Sequence, residues 1–209
     1  MPRPRFEKLP SEKREHILET AAKEFAAHGY EGASLNQILA KAGISKGAAY
    51  YYFDNKADLY VTTVTRYAIE LIDSLDINLE GVTAVSFWPT LQNLYEQQFT
   101  QFAERPWVFG VVKSNGPIDM EALANTQLGD YAQDVEGMLE SILRQGMALG
   151  VVRTDLPDDL LFSLVVTLDD AHDKWLLTQM SKMGQKELKA AAVQMVGLLQ
   201  QLLTPTHNK

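Results

Sequence analysis

Two helix starts and one glycine turn, packed between Ser34 and Phe53, leave this chain few ways to fold. Ser34-Leu35-Asn36-Gln37 reads as a capping box, in which the Ser34 hydroxyl and the Gln37 amide each satisfy a backbone donor left free by the first helical turn. Leu35, Ile38, Leu39 and Ala42 recur at helical spacing, and Gly43 can take the left-handed conformation that ends such a helix. Ser45 can cap a second short helix. Its side chains point about 100° apart in succession, so Tyr50, Tyr51 and Tyr52 cannot all face one core. Ala49 and Phe53, at i and i+4, share the buried face and leave Lys46, Gly47, Tyr50 and Tyr51 outside. Glycine inside a helix costs roughly 0.5 to 1 kcal/mol relative to alanine. A bare backbone at Gly47 fits the close approach of something large.

A short helix, a tight turn and a second short helix with an open polar face form the helix-turn-helix plan, whose second helix enters the major groove. Arg14, Ile17, Leu18, Ala21, Phe25, Gly29-Tyr30, Ser34, Ile38, Ala42-Gly43-Ile44-Ser45, Gly47, Tyr50, Phe53, Lys56 and Leu59 stand in one unbroken register. In that register the first 60 or so residues resemble the DNA-binding domain of TetR-type (TetR/AcrR) transcriptional regulators. Leu39 is a small departure, since many relatives carry alanine there. The resemblance implies an all-α protein, with a helix-turn-helix domain over residues 1–56 and a helical ligand-binding and dimerisation domain over 57–209. It also implies a homodimer on palindromic double-stranded operator DNA, acting as a repressor and released by a small-molecule effector. The expected DNA contacts are Ser34, Ser45, Lys46, Gly47, Ala48, Tyr50, Tyr51, Tyr52 and Lys56. Lys46 is expected to touch a base, Gly47 to admit the backbone, and the tyrosines and Lys56 to hold phosphates. A dimeric DNA-binding factor without any ligand is the alternative.

The net charge of −8 looks unsuited to DNA until it is divided. Residues 1–60 hold nine Lys/Arg and eight Asp/Glu, for +1, while residues 61–209 hold ten and nineteen, for −9. A polyanion is therefore expected to meet the N-terminal end and to be repelled by the rest. There is no cysteine, hence no disulfide framework, thiolate metal site or cysteine nucleophile. No apolar run approaches the 18 or so residues a membrane span needs, and Met1-Pro2-Arg3-Pro4-Arg5 leads into no secretory signal. A cytoplasmic protein without membrane contact is expected.

In chain order, Met1 to Pro10 is a basic arm, either frayed or reaching a minor groove through Arg3 and Arg5. Ser11 opens a helix that runs to about His28 and stops at Gly29. Asn55-Lys56-Ala57-Asp58 caps a longer one, with Leu59, Tyr60, Val64, Tyr67, Leu71 and Leu75 on one stripe and a helix N-terminus suited to an anion. After a loop around Gly81, helices are expected over 87–104, in a short segment after Pro106, somewhere between Met120 and Leu149, over 157–180 and over 186–203, with turns at Asn115-Gly116-Pro117, Gly146 and Gly150. The last two carry more apolar surface than a small domain uses, and the family's four-helix dimer contact is the implied outlet.

Tyr95, Phe99, Phe102, Trp107, Tyr131, Met138 and Trp175 belong to an aromatic and methionine set that can line a cavity between helices or fill a core. Asp169, His172 and Asp173 stand at i, i+3 and i+4 amid apolar neighbours, where unpaired polar groups are expensive. They could select a cationic or hydrogen-bonding ligand, hold a divalent metal with a further carboxylate, form a polar seam between subunits, or sit in a solvated turn. No cofactor is implied. His16, His28, His172 and His207 are scattered, with no nucleophile elbow, zinc-protease spacing or phosphate loop, so an enzyme is not expected.

Overall fold

The computed structural model describes residues 2–74, 77–114, 116 and 127–205. Their regular secondary structure is all helical, with no strand among the described residues. The expected turn at 115–117 and the positions Leu75, Met120 and His207 lie largely or wholly outside them, as does the side chain of Tyr131. The chain forms two compact units, one of Met1–Asp73 with Trp107–Tyr131, the other of Ser74–Pro106 with Ala132–Lys209.

The first unit contains α1 (Pro4–Glu7), α2 (Ser11–Gly32), α3 (Leu35–Lys41), α4 (Lys46–Tyr52), α5 (Lys56–Asp73) and most of α7 (Pro106–Val112). The basic arm is neither frayed nor free. Pro4 suits a first helical turn, where its missing N–H costs nothing, and α1 then buries Phe6 against Phe53, ring centroids 4.8 Å apart. The Arg3 N–H donates to the Tyr52 carbonyl at 2.8 Å and its Nε to Asp54 at 2.9 Å, which ties the arm to the end of α4. Gly29 takes φ 65°, and the regular turns of α2 end there as its position predicts. Ile17, Ala21, Phe25, Ile38, Ala49 and Phe53 close the core.

Helix α5 packs here, although residues 57–209 were expected to form the other domain. Its stripe explains why: Leu59, Tyr60, Val64 and Tyr67 are all buried in the first core. Tyr60 sits edge-on to Phe25 and Tyr30, at 5.0 and 5.2 Å, and its hydroxyl donates to the Ser114 carbonyl at 2.8 Å. Fully burying a side chain of this size contributes roughly 1.5–3 kcal/mol.

The second unit contains α6 (Phe87–Glu104), most of α8 (Gln127–Ala148), α9 (Asp158–Gln179), a 3₁₀ turn (Met180–Lys182) and α10 (Gln185–Leu203). Helices α6 and α10 pack along each other, and Phe87, Leu91, Leu161, Met195 and Leu199 form the core. Gly146 was expected to end α8, but it lies within the helix. A Cβ there would collide with Val152 and stand 2.8 Å from Phe87, so this glycine admits neighbours rather than a turn. The turn belongs to Gly150, at φ 71°.

Candidate nucleic-acid interface and effector cavity

The caps that place α4 are local. Ser34 Oγ accepts from the Gln37 N–H at 3.3 Å, Gly43 adopts φ 64°, and Ser45 Oγ accepts from the Ala48 N–H at 3.1 Å. Each serine thereby spends a lone pair and keeps its own O–H proton to donate. The other half of the expected capping box is not made by Gln37: the Ser34 N–H donates to Glu24 Oε1 at 3.2 Å. Glu24 is buried and also receives the Lys41 ammonium at 3.1 Å. Burial alone would raise its pKa, but the Ser34 N–H and Lys41 outweigh it and hold the carboxyl below its ordinary 4.5.

Helix α4 turns Ala49 inward and presents the opposite face. Tyr50 and Tyr51 are 45% and 47% exposed, against Tyr52, which is half-buried against Phe6. Among the described residues Lys46 has no ion-pair partner and the Tyr50 hydroxyl no hydrogen bond, so both are available to a ligand. Tyr51 carries the Arg5 guanidinium over its ring at 3.8 Å, which brings a second cation to this face. A Cβ on Gly47 would meet only Ser45 Oγ, at 4.0 Å, so nothing inside the fold requires glycine there. Ala48 is half-buried against the core. Lys56 is held more firmly than its sequence suggested: Nζ donates to the Glu31 carbonyl at 3.2 Å and lies over the Tyr30 ring at 4.7 Å. The α5 cap forms as expected, Asn55 Oδ1 accepting from the Asp58 N–H at 2.9 Å.

The second unit holds a partly open cavity of about 160 Å³ among α6, α8, α9, α10 and Ile77. Tyr95, Met138 and Asp169 line it. The other described residues expected to meet a ligand stand elsewhere. Phe99 and Phe102 are core residues, and Trp107 belongs to the first unit, edge-on to Tyr67 at 5.1 Å. His172 is buried, stacked on Phe99 at 5.5 Å, with no hydrogen bond of ordinary geometry at either nitrogen. Burial pushes its pKa below the ordinary 6.5, against the opposing pull of Asp169 and the Ala191 backbone. Asp173 is buried nearby, and Trp175 is 41% exposed. Among the described residues no three His, Asp or Glu converge as metal ligands, and no helix is long and apolar enough to cross a membrane.

What sequence reasoning missed is that the lining is mostly aliphatic, with Leu91, Leu94, Val135, Leu139, Ile142 and Val165 prominent. Gln98 was a usable signal. It continues the Leu91, Leu94 and Tyr95 face of α6 as an unexplained polar residue.

Residues 17–62 match the family described as "Bacterial regulatory proteins, tetR family". Over 180 residues the chain is 24% identical to the HTH-type transcriptional repressor AcnR of Corynebacterium glutamicum, covering 86% of this chain and 89% of that one. A TetR family transcriptional regulator from Chloroflexus aurantiacus has the same fold, with a TM-score of 0.68, 20% identity, and 98% and 99% of the two chains covered. So does FadR of Bacillus subtilis, solved in complex with stearoyl-CoA, at TM-score 0.64 and 20% identity over 88% and 96% of the chains. Two short serine-capped helices with an exposed outer face on α4, the family match over those same residues and a helical fold shared with known regulators lead to one conclusion: this chain belongs to the TetR family of DNA-binding transcriptional regulators.

Proposed function

We propose that the protein is a repressor that grips a palindromic operator as a homodimer and lets go when a small molecule occupies the cavity of the second unit. The observation that carries the reading is the outer face of α4, where Lys46, Tyr50 and Tyr51 are exposed around a glycine that the fold itself does not need. Lys46 reaches a base edge, Gly47 lets the sugar-phosphate backbone come close, and the tyrosine hydroxyls, with the Ser34 and Ser45 protons, bond phosphates. Lys56, already tied to Glu31, contributes a fixed positive charge rather than a mobile one.

Dimerisation uses α9 and α10. Leu160, Val166 and Trp175 on α9 and Val193 on α10 are exposed apolar side chains, an arrangement that a second copy of the same face would cover. Two half-sites about 34–36 Å apart, or a multiple, demand a fixed spacing of reading helices, so a modest rearrangement on effector binding abolishes the grip. AcnR is named a repressor, and FadR was solved in complex with stearoyl-CoA, which supports the same plan here. Sedimentation with a labelled fragment of the protein's own promoter tests it. Two protomers per palindrome are expected, and Trp175→Glu with Val193→Glu should give a monomer that no longer shifts the fragment. A monomer that binds as well as the parent would overturn the dimer.

A further inference from the structure

The geometry points to a small hydrophobic amine, bound as its cation, as the ligand of the second unit's cavity; this rests on the reading of that cavity as the effector site. Asp169 is the reason. Its carboxylate is half-buried at the lining of an otherwise apolar cavity and accepts one hydrogen bond, from the Tyr95 hydroxyl at 2.9 Å. Among the described residues no Lys or Arg pairs with Asp169, and no Lys, Arg or His lines the cavity. The neighbouring His172 feels Asp169, but burial holds its pKa below the ordinary 6.5, so at neutral pH it is no counter-charge. A carboxylate beside apolar walls is costly without one, and one phenol answers only part of its acceptor capacity.

A primary ammonium group supplies what is missing. It has three donors, and residues lining the cavity carry matching acceptors: a carboxylate oxygen of Asp169 and the Tyr95 hydroxyl oxygen, whose proton is turned toward Asp169, with the Gln98 amide on the same lining. The remaining wall, with Leu91, Val165 and Leu199, suits a ring or short alkyl chain. The volume of about 160 Å³ is close to that of an apolar cavity known to hold one benzene ring. A carboxylate or phosphate ligand would meet Asp169 as a like charge. Tyr95 does not relieve this, because burial first, then the neighbouring Asp169, pushes its hydroxyl pKa well above 10 and keeps it a neutral donor.

Titration calorimetry of the full chain with 2-phenylethylamine, 2-phenylethanol and phenylacetate, probes of one size and three charges, decides the matter. The amine should bind at least about tenfold tighter than the alcohol, the scale of a charge-assisted hydrogen bond, and phenylacetate weakest. Asp169→Asn should bring amine and alcohol to equal affinity. If that variant does not fold, the wild-type ranking still decides. Equal affinity for amine and alcohol, or preference for phenylacetate, would overturn the amine while leaving the cavity as the effector site. Binding of none of the three would overturn both.

Discussion

Two acids divide the molecule between them. In the first unit Glu24 is buried and fully answered, by the Ser34 N–H and the Lys41 ammonium, and it fixes the start of α3 from ten residues upstream. In the second, Asp169 receives a single phenol and stands at a cavity wall. The same functional group is a structural brace where its partners are supplied by the fold, and keeps acceptor capacity to spare where they are withheld. The first unit is built to hold α4 rigid, and it presents groups such as Lys46 and Tyr50, unpaired among the described residues, on the outside. The second keeps its unmet polar demand within.

Removing the Glu24 carboxylate is the hardest blow to that contrast. Glu24→Ala orphans the Ser34 N–H and should lower unfolding stability by about 2 kcal/mol, read from urea melts. A loss under about 0.5 kcal/mol would mean that the brace is illusory. Gly146→Ala in the second unit forces a methyl group toward Val152 and Phe87 and should cost about 1–2 kcal/mol in the same assay, with operator binding kept at native temperature.

Acid separates the units further. Because folded Glu24 titrates below 4.5, its contribution is complete above that pH and fades as pH falls through the folded value. His172 acts earlier. Its folded pKa lies below 6.5, so on acidification the unfolded chain binds the proton first and stability declines as pH drops under 6.5. His172→Phe should flatten the stability profile just below pH 6.5, and Glu24→Gln should flatten only the steeper part below 4.5; a His172→Phe profile parallel to the parent would exclude the imidazole. The smallest effect belongs to Asp169→Asn. Without a cation to lose, it should change stability by no more than about 0.5 kcal/mol in either direction, and a loss of about 2 would make Asp169 a second Glu24.

Helix α4 and its caps were legible because every signal is local: a serine, a glycine and an apolar pair within a few residues specify each end. The body's helices were legible from periodicity for the same reason. The helix in the arm was missed because only Phe6 marks it, and a single apolar residue after a proline carries no period. Glu24 was invisible as a cap partner since Ser34 lies across the break at Gly29. The cavity was hardest. Its walls come from four helices far apart in the chain, and large aromatic side chains such as Phe99 and Phe102 fill cores as readily as they line pockets.

The central claim is that the outer face of α4 grips DNA, and fluorescence anisotropy with the palindrome ahead of the protein's own gene tests it most directly. Lys46→Ala should weaken binding about 10- to 100-fold and Tyr50→Ala somewhat less, with melting temperatures unchanged, as expected for exposed side chains that contact bases and phosphates. Parental affinity in the Lys46→Ala, Tyr50→Ala double variant would contradict the account.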